Sequence, residues 1–339
     1  MRIQQMLQIC SIGVLLTAWG TNAQYKNAGS VNYQHLLLSY DARTAALGGS
    51  GCALPGAIEL NTVNPAASAS TETMQWFVGY QNLGMGIWGS VMSFSRPYEF
   101  GIMTFTLQGL SSGAIDVIEV KNSSPLVTGR TAHDEYLTPS VSLARPFLSG
   151  KMLVGASVKG MYQRIDASTD VYSSKAIGFD FGFQYRPVNN RLIAAAVVRN
   201  IGYEFQSFIS NDRYPTPMVF EAGISYIPRY LPSLRVIADI NKSRGSDLMY
   251  EPGFEIEAYP GVLALRVGYP FSQADLDEKI RSFSGEKDPL YVKSNLATIA
   301  CGAGIKTDIR NKDVSIDIAL QFKDDFYPPT VQISSSVAF

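Results

Sequence analysis

The residues that could do chemistry are few and poorly grouped for it. The 339-residue chain has two histidines, His35 and His133. His133 stands beside Asp134, and a carboxylate–imidazole pair can activate water for hydrolysis. Neighbouring residues on a strand point to opposite faces, so these two cannot serve one another there, and a solvated loop histidine is the simpler reading. Cys52 and Cys301 could bridge in an oxidising compartment. Yet Cys301 shares parity with Ile299, Ala303 and Ile305, against Gly302, Gly304 and Lys306, which turns it away from any interior. Asp275, Asp277 and Glu278 are interleaved with Lys279, Arg281 and Lys287, the pattern of a mixed, solvated surface rather than of a calcium site. No metal-ligand spacing, phosphate loop or nucleotide fingerprint occurs, so neither catalysis, nor a metal, nor a cofactor is expected. One charged set has a plausible geometry. Glu255 and Glu257 share a parity with Gly253, and Arg266 faces the same side from the next segment. Paired across a hairpin they would hold an interior shut; unpaired they would line a polar path.

What must position these residues is a succession of short alternating segments. Ile177, Phe179, Phe181, Phe183 and Tyr185 occupy one parity of AIGFDFGFQYRP, and Gly178, Asp180, Gly182 and Gln184 the other. Val314, Ile316, Ile318, Leu320 and Phe322 repeat the pattern, as do Phe220 to Tyr226 and Leu263 to Tyr269. Segments of about ten residues with this dyad period are the signature of a transmembrane β-barrel. Fourteen are predicted, at 74–81, 86–96, 99–111, 134–146, 151–164, 174–185, 191–201, 217–227, 233–242, 249–258, 262–270, 295–306, 313–323 and 329–339. The stretch 114–120 is assigned to a loop. The expected fold is therefore all-β, a fourteen-stranded antiparallel transmembrane barrel, in which Phe179, Phe181 and Phe183 face lipid.

Composition agrees without being decisive. The chain is 46% hydrophobic and 17% charged, with a mean hydropathy of +0.03, too low for a helical membrane protein. A formal net charge of -1 gives no reason to expect nucleic acid. The longest apolar run, Ile12 to Trp19, follows Arg2 and precedes small residues up to Ala23, the layout of a secretory signal peptide over 1–23. With the C-terminus placed in the periplasm, the short connections fall on that side, and 112–133, 202–216 and 271–294 fall outside, the asymmetry expected of an outer-membrane barrel. The terminal Phe339 on an alternating last strand resembles the signal by which such barrels are recognised for assembly.

Residues 24–73 break the alternation and precede the barrel at 74–339. They contain DARTAALGG, with Arg43, Gly48 and Gly49, and then Asn64, Pro65 and Ala66. The glycines permit a tight turn, and the residue before proline is biased to extended or turn conformations. This pair of motifs resembles the N-terminal hatch of FadL-like barrels, and within that superfamily the chain is most similar to the PorV/PorQ family of the type IX secretion system, its compact size favouring the PorQ branch. The resemblance implies a hatch or plug over 24–73, acting as a gate or as a fixed stopper. It also implies a non-enzymatic outer-membrane component of the attachment complex, holding a PorZ-like partner at the surface beside PorU and PorV through the loops 112–133, 202–216 and 271–294. Cargo attachment there involves anionic lipopolysaccharide. FadL-like passage of hydrophobic molecules and a PorV-like cargo shuttle are the alternatives. Relatives often carry an acidic stretch between the two motifs; here only Glu59 stands there.

Overall fold

The computed structural model describes residues 31–56, 58–121, 124–166, 170–208, 213–283, 299–322 and 328–339. The expected signal peptide lies outside them. The strands are β1 (Gln75–Gly84), β2 (Ile87–Tyr98), β3 (Gly101–Ser111), β4 (Ile115–Lys121), β5 (Ser124–Phe147), β6 (Met152–Asp166), β7 (Val171–Asn190) and β8 (Leu192–Gln206). They continue as β9 (Val219–Tyr226), β10 (Leu234–Ser243), β11 (Leu248–Tyr259), β12 (Leu263–Gly268), β13 (Phe271–Ser272), β14 (Ile299–Asp308), β15 (Asp313–Phe322) and β16 (Thr330–Ala338). Two helices, α1 (Ala42–Ala46) and α2 (Gln273–Phe283), complete the regular structure with short 3-10 turns.

Setting aside β4 and β13, fourteen antiparallel strands form one ring. β1 closes on β16, from Gln75↔Ala338 to Asn82↔Val331, and β10 pairs with β11, so no wall strand has a free edge. Closure follows from the dyad pattern: with every strand apolar on one parity, the sheet buries its other parity by curling around it. Along β7 the outward Phe179, Phe181 and Phe183 are 42%, 53% and 39% exposed, whereas Asp180 and Gln184 are 3% and 0% exposed. In the register of β6 with β7, Phe179, Phe181 and Phe183 stand opposite Val158, Ala156 and Val154, so the outer face is apolar across strands as well as along them.

The structure corrects the expectation at 114–120. Ile115–Lys121 is a strand, paired as Ile115↔Ala132 and Asp116↔Thr131 with an outer extension of β5. β5 consequently begins at Ser124 rather than 134, and the presumed loop 112–133 is largely a hairpin beyond the wall. IDVIEVK is rich in β-branched residues but changes parity at Val117–Ile118, where its pairing with β5 also shifts register. In the expected loop 271–294, Gln273–Phe283 is helical. Asp275 there is buried, not solvated, and accepts hydrogen bonds from Ser272 N and Oγ at 2.9 and 2.8 Å. Residues 284–294, like Lys287, fall outside the described set.

Candidate functional site

Residues 31–56 and 58–71 lie within the ring, and two motifs anchor that segment to separate arcs of the wall. The first is built on α1. Asp41 caps it, accepting from Arg43 N and Thr44 N at 3.2 and 2.9 Å. Gly48 and Gly49, at φ +73° and +107°, then reverse the chain while their N–H groups bond Ala45 O and Thr44 O. That turn descends onto a gap in the wall. Gly253 and Gly268 are directly paired between β11 and β12, and a Cβ on Gly268 would overlap the backbone of Leu47 and Gly48.

Arg43 projects from this helix into the charged set. Its Nε and one terminal nitrogen (NH2) donate to the two oxygens of Glu255, both at 2.8 Å, and NH1 donates to Pro55 O at 2.8 Å. Arg266, directly opposite Glu255 in the β11–β12 register, donates to Glu255 Oε2 at 2.8 Å and to Asp317 Oδ1 at 2.6 Å. The expected pairing of Glu255 with Arg266 is therefore present, and every member is buried. Glu257 is exposed and takes no part in it. Arg43 was identified only as part of a turn motif. Its partner lies 212 residues away, and spacing carries no trace of it.

The second motif sits across the lumen. Asn64 Oδ1 accepts from Ala66 N at 3.0 Å, opening the turn Pro65–Ser70 with proline in its first turn, and Nδ2 donates to Cys52 O at 3.0 Å. Asn64 and Pro65 rest on another cross-strand glycine pair, Gly155 of β6 and Gly182 of β7; a Cβ on Gly182 would overlap Asn64 Oδ1, and one on Gly155 would overlap Pro65. Beside them Gln184 Nε2 donates to Cys52 O and Leu54 O at 2.9 and 3.2 Å. On a third arc, Gln321 donates to Ala45 O and Ser334 accepts from Ala42 N, at 3.2 and 3.1 Å. The glycine pairs were not recognised as seats in the sequence. The available signal was glycine repeating on the inward parity beneath an aromatic outward one.

Burial sets the protonation of the segment's own groups. Asp41 is pushed up to about 6, first by burial and then by the charges of Asp317 and Glu59, against the hydrogen bonds of Thr44. His35 is lowered to about 3 by burial, with Lys159 adding repulsion, so it is neutral where Nε2 meets Thr138 Oγ1 at 3.0 Å. Burial likewise raises the Cys52 thiol. Cys52 and Cys301 are both free: Cys52 is enclosed in the lumen and Cys301 sits in the wall, on β14.

The remaining candidates are dispersed. Asp134 accepts from Gln163 Nε2 and Tyr136 OH at 3.0 and 2.8 Å, while His133 lies near Thr131, so the two face opposite ways. Phe339 extends the closing seam, donating its N–H to Met74 O at 2.9 Å, with Lys312 Nζ 4.1 Å from its ring centroid. On the outer face the β5–β6 ladder lapses between Leu137↔Tyr162 and Ser140↔Lys159, where Pro139 has no N–H to give. A groove of about 680 Å³ opens there, lined by Phe94, Phe105, Val141, Val158 and Ile177, and it reaches Thr106 and Lys159 of the inward parity.

The closed fourteen-stranded ring has counterparts among solved outer-membrane barrels. The toluene transporter TodX of P. putida superposes on it with a TM-score of 0.60 at 12% identity, over 89% of this chain and 99% of that one. A TodX variant described as a monoaromatic hydrocarbon channel lacking S2 and S3 gives 0.61 at 13% identity, over 88% and 98%. No family model and no curated sequence matches. At such identities the likeness establishes the fold: this is an outer-membrane-type β-barrel of FadL-like architecture.

Proposed function

We propose that this chain is a stoppered, non-enzymatic outer-membrane barrel that anchors a partner at the cell surface, as a component of the type IX secretion attachment complex. The observation that carries this reading is the way residues 31–71 are fastened: Arg43 forked on Glu255, Asn64 seated on Gly155 and Gly182, and Ala45 held by Gln321. Ties on three arcs favour reading the segment as a fixed stopper rather than a gate. With the lumen committed to its own chain, what the barrel offers is its rim, and the β4–β5 hairpin and α2 supply structured elements there for a PorZ-like protein, with PorU, PorV and lipopolysaccharide as further partners. Affinity purification from detergent-solubilised outer membranes tests it: a large surface protein is expected to co-purify, and deletion should release unprocessed cargo into the medium.

A second reading, passage of a hydrophobic molecule, draws on the groove beside Pro139 and on the likeness to TodX. Normal cargo attachment combined with impaired growth on a hydrocarbon in the deletion strain would replace the first reading with this one.

A further inference from the structure

Three carboxylates meet in the lumen away from the network just described. Glu221 of β9, Asp239 of β10 and Glu251 of β11 point inward from consecutive strands, and one oxygen of each lies within 4.8 Å of those of the other two. Asp239 and Glu251 stand directly opposite in the register, a placement that is destabilising for like charges left uncompensated. All three are buried, at 5%, 1% and 8% exposure. Their hydrogen bonds set one guanidinium against them, Arg199, which donates to Glu221 Oε2 at 2.7 Å. Two carboxylate oxygens, Glu221 Oε1 and Asp239 Oδ1, are enclosed with no N–H or O–H donor among the described residues. An ionised carboxylate is acceptor-only, so neither can relieve the other.

We infer that this cluster is a site for a hard divalent cation, with Ca²⁺ the best match. With all three ionised, the carboxylates less one guanidinium would leave two negative charges, which one divalent ion balances. The spacing permits it, because two oxygens of one Ca²⁺ shell lie at most about 5.2 Å apart and these three lie within 4.8 Å of one another. The donor set is all oxygen, as Ca²⁺ requires, and Asn241 Nδ2 orients Glu251 by donating to its Oε1 at 2.5 Å. The site also joins the stopper to the wall. Gly51 N and Cys52 N donate to Asp239 Oδ2 at 2.8 and 2.9 Å, and a Cβ on Gly49 would press on the Glu251 carboxylate. A bound ion therefore holds the carboxylates that hold residues 49–52. The three strands are consecutive and paired as neighbours, so register rather than ligand spacing along the chain brings the carboxylates together.

The test uses the full exported chain refolded into detergent free of lipopolysaccharide, so that no lipid-bound calcium contributes. After EDTA treatment and dialysis against CaCl₂, metal analysis is expected to find one Ca²⁺ per chain. The melting temperature should rise with Ca²⁺ concentration, as for any ligand that binds only the native state. Glu251→Gln should lose the ion and the calcium-dependent shift, and Asn241→Ala should weaken binding by roughly 10–100-fold. Should Glu251→Gln not fold, Asn241→Ala, which keeps all three carboxylates, carries the comparison. The inference is overturned if the wild type retains no Ca²⁺ and melts identically in EDTA and CaCl₂, which would mean that protons balance the cluster, or if the variants bind Ca²⁺ as tightly as the parent.

Discussion

Replacing Arg43 by methionine should loosen the stopper without opening the ring. Methionine keeps most of the packing volume but removes three donors at 2.8 Å, two to Glu255 and one to Pro55 O. Breaking a buried ion pair by deleting one partner costs about 3–5 kcal/mol. Glu255 keeps Arg266 at 2.8 Å and gains from Arg235 at 3.7 Å, which moderates that figure. The abandoned Pro55 carbonyl adds back about 1–3 kcal/mol of unmet desolvation. A net loss of about 3 kcal/mol is expected, confined to the equilibrium in which residues 43–55 leave the wall. Cys52 reports on that opening, because it is fully buried within the tied span. In a Cys301→Ser background, maleimide labelling of native protein should accelerate roughly 100-fold, at about 1.4 kcal/mol per factor of ten. Arg43→Lys, which keeps the charge but loses the fork, should fall between. A labelling rate unchanged by Arg43→Met would refute the assignment of the Arg43–Glu255 fork as the fastening of this segment.

The remaining expectations follow from the same geometry. Gly182→Val should cost about 1–3 kcal/mol by pressing on Asn64, seen as faster Cys52 labelling, whereas Gly160→Ala, whose nearest neighbour is Pro139 at 3.8 Å, should be silent. Phe181→Arg should cost roughly 2–4 kcal/mol near the bilayer midplane, read as an earlier loss of heat-resistant gel mobility; a variant as resistant as the parent would reverse the assigned faces. For Asp41 the folded value near 6 lies above the unfolded one of about 3.9, so the native state takes the proton first. Its contribution is complete below about pH 4 and is lost as pH rises through about 6, and Asp41→Asn should flatten that limb of the melting-temperature profile.

How far these features could be read from the sequence depends on the range over which they are encoded. Strand number and facing are local, a matter of period two, and all fourteen wall strands were legible: Phe179, Phe181 and Phe183 declare their face within five residues. β4 was less legible, since its apolar residues change parity at Val117–Ile118, and it was assigned to a loop. The contacts of the lumen segment with the wall are not encoded locally. Arg43 meets Glu255, Gly51 meets Asp239, and Asn64 meets Gly182 only because closure sets the radius of the lumen and the register of each hairpin. Arg266 opposite Glu255 was the exception, since adjacent strands in a hairpin are still neighbours in sequence.

The glycine pairs resolve a conflict between those two ranges. β6 and β7 must alternate to satisfy both an apolar exterior and a filled interior, and alternation alone tolerates a slip that exchanges the faces. The seats remove that tolerance. If β7 slipped by one residue against β6, Phe181 or Phe183 would take the inward position of Gly182, where even a methyl group overlaps Asn64, and the smooth outer face would gain a glycine. Gly253 and Gly268 impose the same condition on β11 and β12 through Leu47 and Gly48. Asn64, Pro65 and the Gly48–Gly49 turn thus select the register of the hairpins they rest on as well as occupying the lumen. Variants that fill a seat should accordingly fail during assembly of the barrel more often than the cost of their folded-state contacts alone would indicate.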